Sequence, residues 1–262
     1  MDLLAEIALQ DHPQKEQRVE KIKEITDRGM DGSLSLNESI EQRLELLEAH
    51  ERHLPQLIDA LKDRISPSFE RNYEFFENHS DRVFIISNGF RDFIEPIVGE
   101  FHIKPENVFA NKFTFDESGK ITGYDKDNVL ATNNGKVEQL KHLNLKGDVY
   151  VIGDGYTDYE IKAAGLANKF YAFTENVERE TVTQKADHVA PSLDEFLYMN
   201  KLNTAISYPK NRINVLLLEN IHPRAVKLME EEGYNVSVYP AGLDEDELCE
   251  RIRDVSVLGI RS

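Results

Sequence analysis

Apolar residues recur at every third or fourth position through the first eighty residues, the spacing that predicts amphipathic helices. LLAEIALQ, QRVEKIKEITDRGM, NESIEQRLELLEAH and FERNYEFFENH each carry it, and the two glycines of DRGMDGS separate the second stretch from the third. Asn37, placed before Ile40, Leu44 and Leu47, reads as a helix start. From Arg82 the period changes. Short apolar runs at 83–86 (VFII), 149–152 (VYVI), 170–173 (FYAF) and 188–190 (HVA) alternate with helical segments, which predicts an α/β chain with a doubly wound, mostly parallel sheet. FTFDESGKITGYD interrupts that rhythm with two alternating runs around Asp116 and Gly119, predicting an inserted hairpin that acts as a flap beside a site. The polar, proline-bearing stretch 203–211 reads as a linker. Residues 212–262 then run strand, helix, strand, helix, strand.

Charge narrows the partners. Against 31 Lys and Arg stand 48 Asp and Glu, a formal net charge of −17, which repels nucleic-acid backbones and anionic membrane surfaces. No apolar run is long enough to cross a bilayer, and nothing at the start resembles a secretion signal, so a soluble cytoplasmic protein is expected. The one cysteine, Cys249, has no partner for an internal disulfide; between Leu248 and Ile252 it reads as a small buried hydrophobe. His50 and His53, with no third ligand in view, read as a solvated helix face.

The chemistry concentrates in VIGDGYTDYE, where an apolar strand ends in Gly-Asp-Gly and a second carboxylate follows. A Gly-x-Gly-x-x-Gly dinucleotide turn would need glycine where Asp158 stands, and a carboxylate there repels a pyrophosphate. Two carboxylates behind a buried strand suit Mg²⁺, with a tight turn as the alternative. Uncompensated at a separation of about 4 Å they would repel by about 4 kcal/mol at an effective dielectric near 20, so a metal or a nearby lysine is needed. Ser87-Asn88-Gly89, after the strand at 83–86, offers a hydroxyl and backbone N–H groups at a helix start, a phosphate cradle or a simple helix cap. Lys136 in NNGKVEQL stands in the first turn of another helix, where it pairs with those carboxylates and a phosphoryl oxygen or remains a solvated surface charge.

In this order, a Ser at one strand end, a Lys on a following helix and Gly-Asp-Gly-x-x-Asp resemble the haloacid dehalogenase superfamily of phosphatases. TDRGMDGSLSLNESIEQRLELL, residues 26–47, is similar to the helical cap of the phosphoserine phosphatase branch, and the resemblance covers about residues 1–200. It implies a phosphatase-type domain over 1–202 with a cap near 10–75, acting on the small phosphomonoester O-phospho-L-serine with Mg²⁺. It further implies that Arg43 binds the substrate carboxylate and Met30 shields the substrate. Ser87, Asn88, Gly89 and Lys136 would then hold the phosphoryl group, Asp154 would ligate Mg²⁺, and Asp158 would stand close by. Thr157 stands where many relatives carry Asn.

The same family places Asp-x-Asp-x-Thr at the end of a central strand, its first Asp attacking phosphorus. No such motif occurs in the 262 residues; Asp125-Lys-Asp127, the nearest imitation, reads as a polar turn. The strand is therefore expected upstream of Met1, and the chain is expected to be inactive, or a phosphate-binding remnant, or a fragment of a bifunctional protein. Without that strand two neighbouring strand edges are left unpaired, open to another chain, a homo-oligomer included, or to residues 214–220 of this one. Residues 212–262 resemble the first part of the substrate domain of D-3-phosphoglycerate dehydrogenases, in which Arg261 and Ser262 would begin a substrate-contacting loop. Both resemblances imply serine biosynthesis.

Overall fold

Leu4, Ala5, Leu9, Ile22, Ile40 and Leu47 lie at helical spacing and are almost fully buried, and this shared apolar stripe makes the first helices one layer. The computed structural model describes residues 1–30 and 33–261, without the side chain of Met30. Two compact units result, Met1–Val189 and Ala190–Ser262.

In the first unit the helical layer is built from α1 (Asp2–Ala8), α2 (Lys15–Met30), α3 (Leu36–Leu47), α4 (Leu54–Lys62), α5 (Pro67–Arg71) and α6 (Tyr73–His79). Helix α3 starts earlier than Asn37 suggested. Ser35 is its N-cap, and Glu38 reaches back to accept the Ser35 N–H at 3.2 Å, a reciprocal cap that Asn37 could not complete from inside the first turn. Helix α4, LPQLIDALK, lies in the stretch expected to be helical but was not singled out within it, although Leu54, Leu57, Ile58 and Leu61 keep the three-and-four spacing; its start follows the irregular run around His53.

The α/β part follows, and it is mixed α/β with parallel pairing as expected. Strand β1 (Ile85–Phe90) leads to α7 (Arg91–Gly99) and pairs in parallel with β2 (Val108–Asn111). The hairpin is present as β3 (Phe113–Phe115) and β4 (Ile121–Tyr124). It is no free flap: Ile121 N–H donates to Ala49 O at 2.9 Å, Glu51 N–H to Gly119 O at 2.8 Å, and Phe113 stacks on Phe90 at 3.8 Å. His50 caps a short 3-10 turn, accepting Arg52 N–H at 3.1 Å, and its Nε2 meets Ser118 O across the same seam. The His50–His53 pair is therefore a structural cap joining helix layer to hairpin, and not a solvated helix face.

Helix α8 (Gly135–Leu143), β5 (Tyr150–Gly153), α9 (Tyr156–Ala163), β6 (Lys169–Phe173), α10 (Glu180–Thr183) and β7 (His188–Ala190) complete the series, with β5, β6 and β7 in one sheet. Among the described residues strand β1 belongs to a two-stranded sheet and β5 to a separate one, so each keeps an edge without a strand partner there. Burial shows the cost. Phe170, Tyr171 and Ala172 of β6 are buried, whereas Ile85, Ile86, Val151 and Ile152 of β1 and β5 are only half-buried, although their sequence is that of central strands. Ile86 and Val151 nevertheless pack on one cluster, Val137, Leu140 and Ile161, so α8 and α9 cover both half-sheets. On the opposite side Ile85 of β1 and Phe173 of β6 line one apolar pocket of about 400 Å³ with Phe69, Phe93 and Phe101.

The second unit holds α11 (Leu193–Met199), β8 (Asn214–Leu217), α12 (Pro223–Glu231), β9 (Asn235–Val238), α13 (Glu245–Arg251) and β10 (Val257–Gly259). Its parallel sheet has the order β10-β8-β9, with β8 paired on both edges. Residues 214–217 thus have their own partners, which disposes of the idea that this strand fills the gap beside β1 and β5. Buried Glu195 accepts Arg212 Nε at 2.8 Å and Nη2 at 2.6 Å, tying the proline-bearing stretch back to α11. Cys249 is exposed: next to the inward Leu248 on α13, it lies about 100° further round the helix. Ser262 and its expected role lie outside the described residues.

Phe90 is 1% exposed and stacks on Phe113. Phe90→Ala is expected to lower the unfolding free energy by about 3–5 kcal/mol in urea titration; a loss below about 1 kcal/mol would show that the hairpin does not seal this core.

Candidate active site

Strand β5 delivers the centre of the site, because the chain must turn sharply between Gly153 and the first turn of α9. A Cβ on Gly153 would stand 2.3 Å from Asp158 Oδ2, so only glycine lets that carboxylate fold back under the strand end. Asp158 Oδ2 accepts the Gly155 N–H at 3.1 Å, and its Oδ1 accepts Lys136 Nζ at 2.7 Å. The two side chains are 12% and 13% exposed. At this burial the ion pair is held by charge-assisted bonds in a low-dielectric setting, and it fixes the start of α8 against the start of α9. Burial raises the Glu160 carboxyl above its ordinary range, and Lys136 opposes that rise.

Gly135 places Lys136. Its Cβ position lies 2.3 Å from Val129 O, so α8 begins in direct backbone contact with the short turn Val129–Ala131. That turn is held from β1 and β2: Asn88 Nδ2 donates to Leu130 O at 3.1 Å and Asn111 Nδ2 to Leu130 O at 3.2 Å. Ser87 Oγ accepts the Gly89 N–H at 3.0 Å, leaving the hydroxyl proton free to donate. The anticipated helix start does not lie at Ser87. The β1–β2 register shifts between Ile86 and Phe90, and α7 begins only at Arg91, so the cradle is an irregular strand end rather than a helix N-terminus. Asn88 spends its amide on a carbonyl and acts as a brace.

Asp154 points elsewhere. Its carboxylate, 52% exposed, pairs with Arg179 Nη1, which also donates to Asp154 O at 3.0 Å. Asp154 and Asp158 therefore face different cations. Nothing in the spacing of NVERETV marks Arg179, which passes for one charge in a polar loop. Arg43 lies in the helical layer, its Nε donating to Ser39 O at 3.0 Å and Nη1 to Thr26 Oγ1 at 3.5 Å; burial pulls its guanidinium below its usual value, offset in part by Asp2. Those bonds do not join it to the strand ends. The side chain of Met30 lies outside the described residues.

The donor chemistry fits Mg²⁺ in one mode. Among the described residues no group of three or more His, Cys, Asp or Glu side chains gathers into an all-protein cage. A single strand-end carboxylate, Asp154, suits an ion that keeps several waters and shares a phosphate oxygen.

With this geometry in place, the model of the haloacid dehalogenase-like hydrolases matches residues 7–161, more than half of the chain. The chain belongs to that family. Phosphoserine phosphatase of Arabidopsis thaliana, the chloroplastic form, is 32% identical over 169 residues, covering 63% of this chain and 57% of the relative. The chain thus spans little more than half the length of that relative. The crystal structure of a phosphoserine phosphohydrolase-like protein from Francisella tularensis superposes with a TM-score of 0.62 at 27% identity, over 76% of this chain and 91% of that one. A D-3-phosphoglycerate dehydrogenase of Dictyostelium discoideum is 48% identical over 61 residues, 23% of this chain and 15% of the relative. The haloacid dehalogenase-like domain with phosphoserine phosphatase homologues, and the dehydrogenase-like region, are both as expected from the residues.

Asp158→Asn leaves Lys136 without its counter-charge and is expected to cost about 2–3 kcal/mol, below the full penalty of a wholly buried pair, in urea unfolding. Glu160→Gln tests the raised carboxyl. A folded-state pKa above the unfolded one penalises the fold only where the group is ionised, so the variant gains stability over the parent as pH rises from about 4 to about 7. An equal difference at both values would contradict it.

Proposed function

We propose that residues 1–202 are a phosphoserine phosphatase-type module whose strand-end cleft takes the phosphoryl group of O-phospho-L-serine, and that residues 212–262, beyond a linker at 203–211, are the start of a dehydrogenase-type substrate domain. The observation that carries this is the mostly buried Lys136–Asp158 pair, braced through Gly135 and Leu130 to the Ser87–Gly89 strand end. Lys136 keeps two ammonium protons for phosphoryl oxygens while the third stays with Asp158, and the Ser87 hydroxyl donates to the same group. Mg²⁺ held through Asp154 would polarise a phosphoryl oxygen as a Lewis acid. Asp158 is a positioning residue that aims the ammonium. Arg43 would meet the serine carboxylate if the helical layer closes over the cleft. The role belongs to serine biosynthesis in the cytoplasm.

A second reading, binding without turnover, has its own support. Both strand-end carboxylates are engaged by cations, and the 262 residues carry no Asp-x-Asp-x-Thr to supply an attacking carboxylate. We favour a chain that binds phosphoserine and does not hydrolyse it.

Calorimetric titration of the full chain with O-phospho-L-serine is expected to show one site, weakened about 10–100-fold in Lys136→Met by loss of roughly 1.5–3 kcal/mol of charged hydrogen bonding. Equal affinity in the variant would remove the proposal. Phosphate release above the level of Asp154→Asn would replace the binding reading with a catalytic one.

A further inference from the structure

The apolar pocket of about 400 Å³ is lined by none of the strand-end residues Ser87, Lys136, Asp154 or Asp158. One of its walls is a chain of rings: Phe173 meets Phe69 edge-on at 5.5 Å, Phe69 stacks on Phe76 at 5.4 Å, and Phe76 meets Phe101 edge-on at 5.3 Å. The other is α7, whose Phe93 and Ile97 stand four residues apart on one helix face. Rings packed on one another hold each other's rotamers, so the pocket is preformed. Phe69, Ile85, Phe93, Ile97 and Phe173 are only half-buried, so they keep apolar surface that a ligand would take out of water. The chemistry changes at one corner. Of the described lining residues only Arg64 and Ser66, on the connection between α4 and α5, carry polar side chains. Ser66 Oγ accepts Asn176 Nδ2 at 2.6 Å, which leaves its proton free to donate. Arg64 is exposed and forms no ion pair or side-chain hydrogen bond among the described residues, whereas nearby Lys62 is taken by Glu100 at 2.5 Å.

We propose that this pocket binds a medium-chain aliphatic monocarboxylate, its chain lying between the ring wall and α7 and its carboxylate on Arg64 and Ser66. The corner offers hydrogen-bond donors and one uncompensated positive charge, so the head group it takes is an anionic acceptor, and a planar carboxylate matches the guanidinium fork. The walls offer nothing polar, so the rest of the ligand is hydrocarbon. The volume stands near the low end of small-molecule pockets, about 300–1,000 Å³, which suits a chain of about eight to ten carbons rather than a full-length lipid. The site is separate from the phosphate cleft: it shares no side chain with Lys136 or Asp158, and its occupancy does not depend on theirs.

The test is a titration of the full chain with sodium decanoate, kept below its aggregation concentration and read in spectra of methyl-labelled Ile, Leu and Val. The methyls of Ile85 and Ile97 are expected to shift along one isotherm, while those of Val137, Leu140 and Ile161, in the cluster under α8 and α9, stay in place. Octanoate, two methylenes shorter, is expected to bind about tenfold more weakly, since each methylene buried is worth about fourfold. Arg64→Gln, a change at an exposed side chain without partners, is expected to weaken decanoate about three- to fivefold and to leave decanol unchanged. Lys136→Met is expected to bind decanoate as the parent does. No saturable shift, equal shifts in both methyl groups, equal affinity for octanoate and decanoate, an unchanged decanoate affinity in Arg64→Gln, or loss of binding in Lys136→Met would each overturn the proposal.

Discussion

An ammonium and a carboxylate drawn mostly out of water, Lys136 and Asp158 at 2.7 Å, hold the strand-end region together. Each is expensive to bury alone and tolerable only as a pair, so the first turns of α8 and α9 are compelled to meet. The rest follows from satisfying that pair. Gly153 must be glycine because the carboxylate folds under it, and Gly155 supplies the N–H for the second oxygen. Gly135 must be glycine because α8 can reach Asp158 only by resting on the backbone of Val129 and Leu130. Function inherits this arrangement, since an ammonium with one fixed partner presents its remaining protons in a fixed direction.

The second constraint is the sheet. A parallel strand of fully apolar character is stable when both edges and both faces are covered, and among the described residues β1 and β5 are each paired on one edge. Helices α8 and α9 bridge the two half-sheets on one face through Val137, Leu140 and Ile161, and the apolar pocket touching Ile85 and Phe173 spans them on the other. The half-burial of β1 and β5 beside the buried centre of β6, Phe170 to Ala172, is the physical signature of a sheet divided between its two halves.

Periodicity made much of this legible. Strands β5, β6, β7 and β8, the β3–β4 hairpin and the helices α2, α3, α12 and α13 stand where apolar spacing placed them, and α2, α3, β6 and β8 bury the apolar residues that gave the signal. Strand β2 was missed: VFAN is only four residues, and its closing Asn111 is a buried brace rather than a core side chain. The site divides the same way. Lys136 and Asp158 could be paired from charge repulsion and helix position, whereas Arg179 could not, since its partner lies 25 residues away across a loop with no spacing pattern. Ser87 was placed at a strand end, but the register shift that carries β1 on to Phe90 leaves no trace in composition. Cys249 shows the converse error, in which apolar neighbours along the chain were taken for neighbours in space.

Everything functional depends on the end of β1, the start of α8 and the β5–α9 turn forming a single pocket. The direct measurement is a backbone amide correlation spectrum recorded while O-phospho-L-serine is added to the full chain. The amides of Ser87, Gly89, Lys136 and Gly155 are expected to shift together along one binding isotherm. Shifts confined to one of these elements, or following different isotherms, would contradict a shared phosphate site.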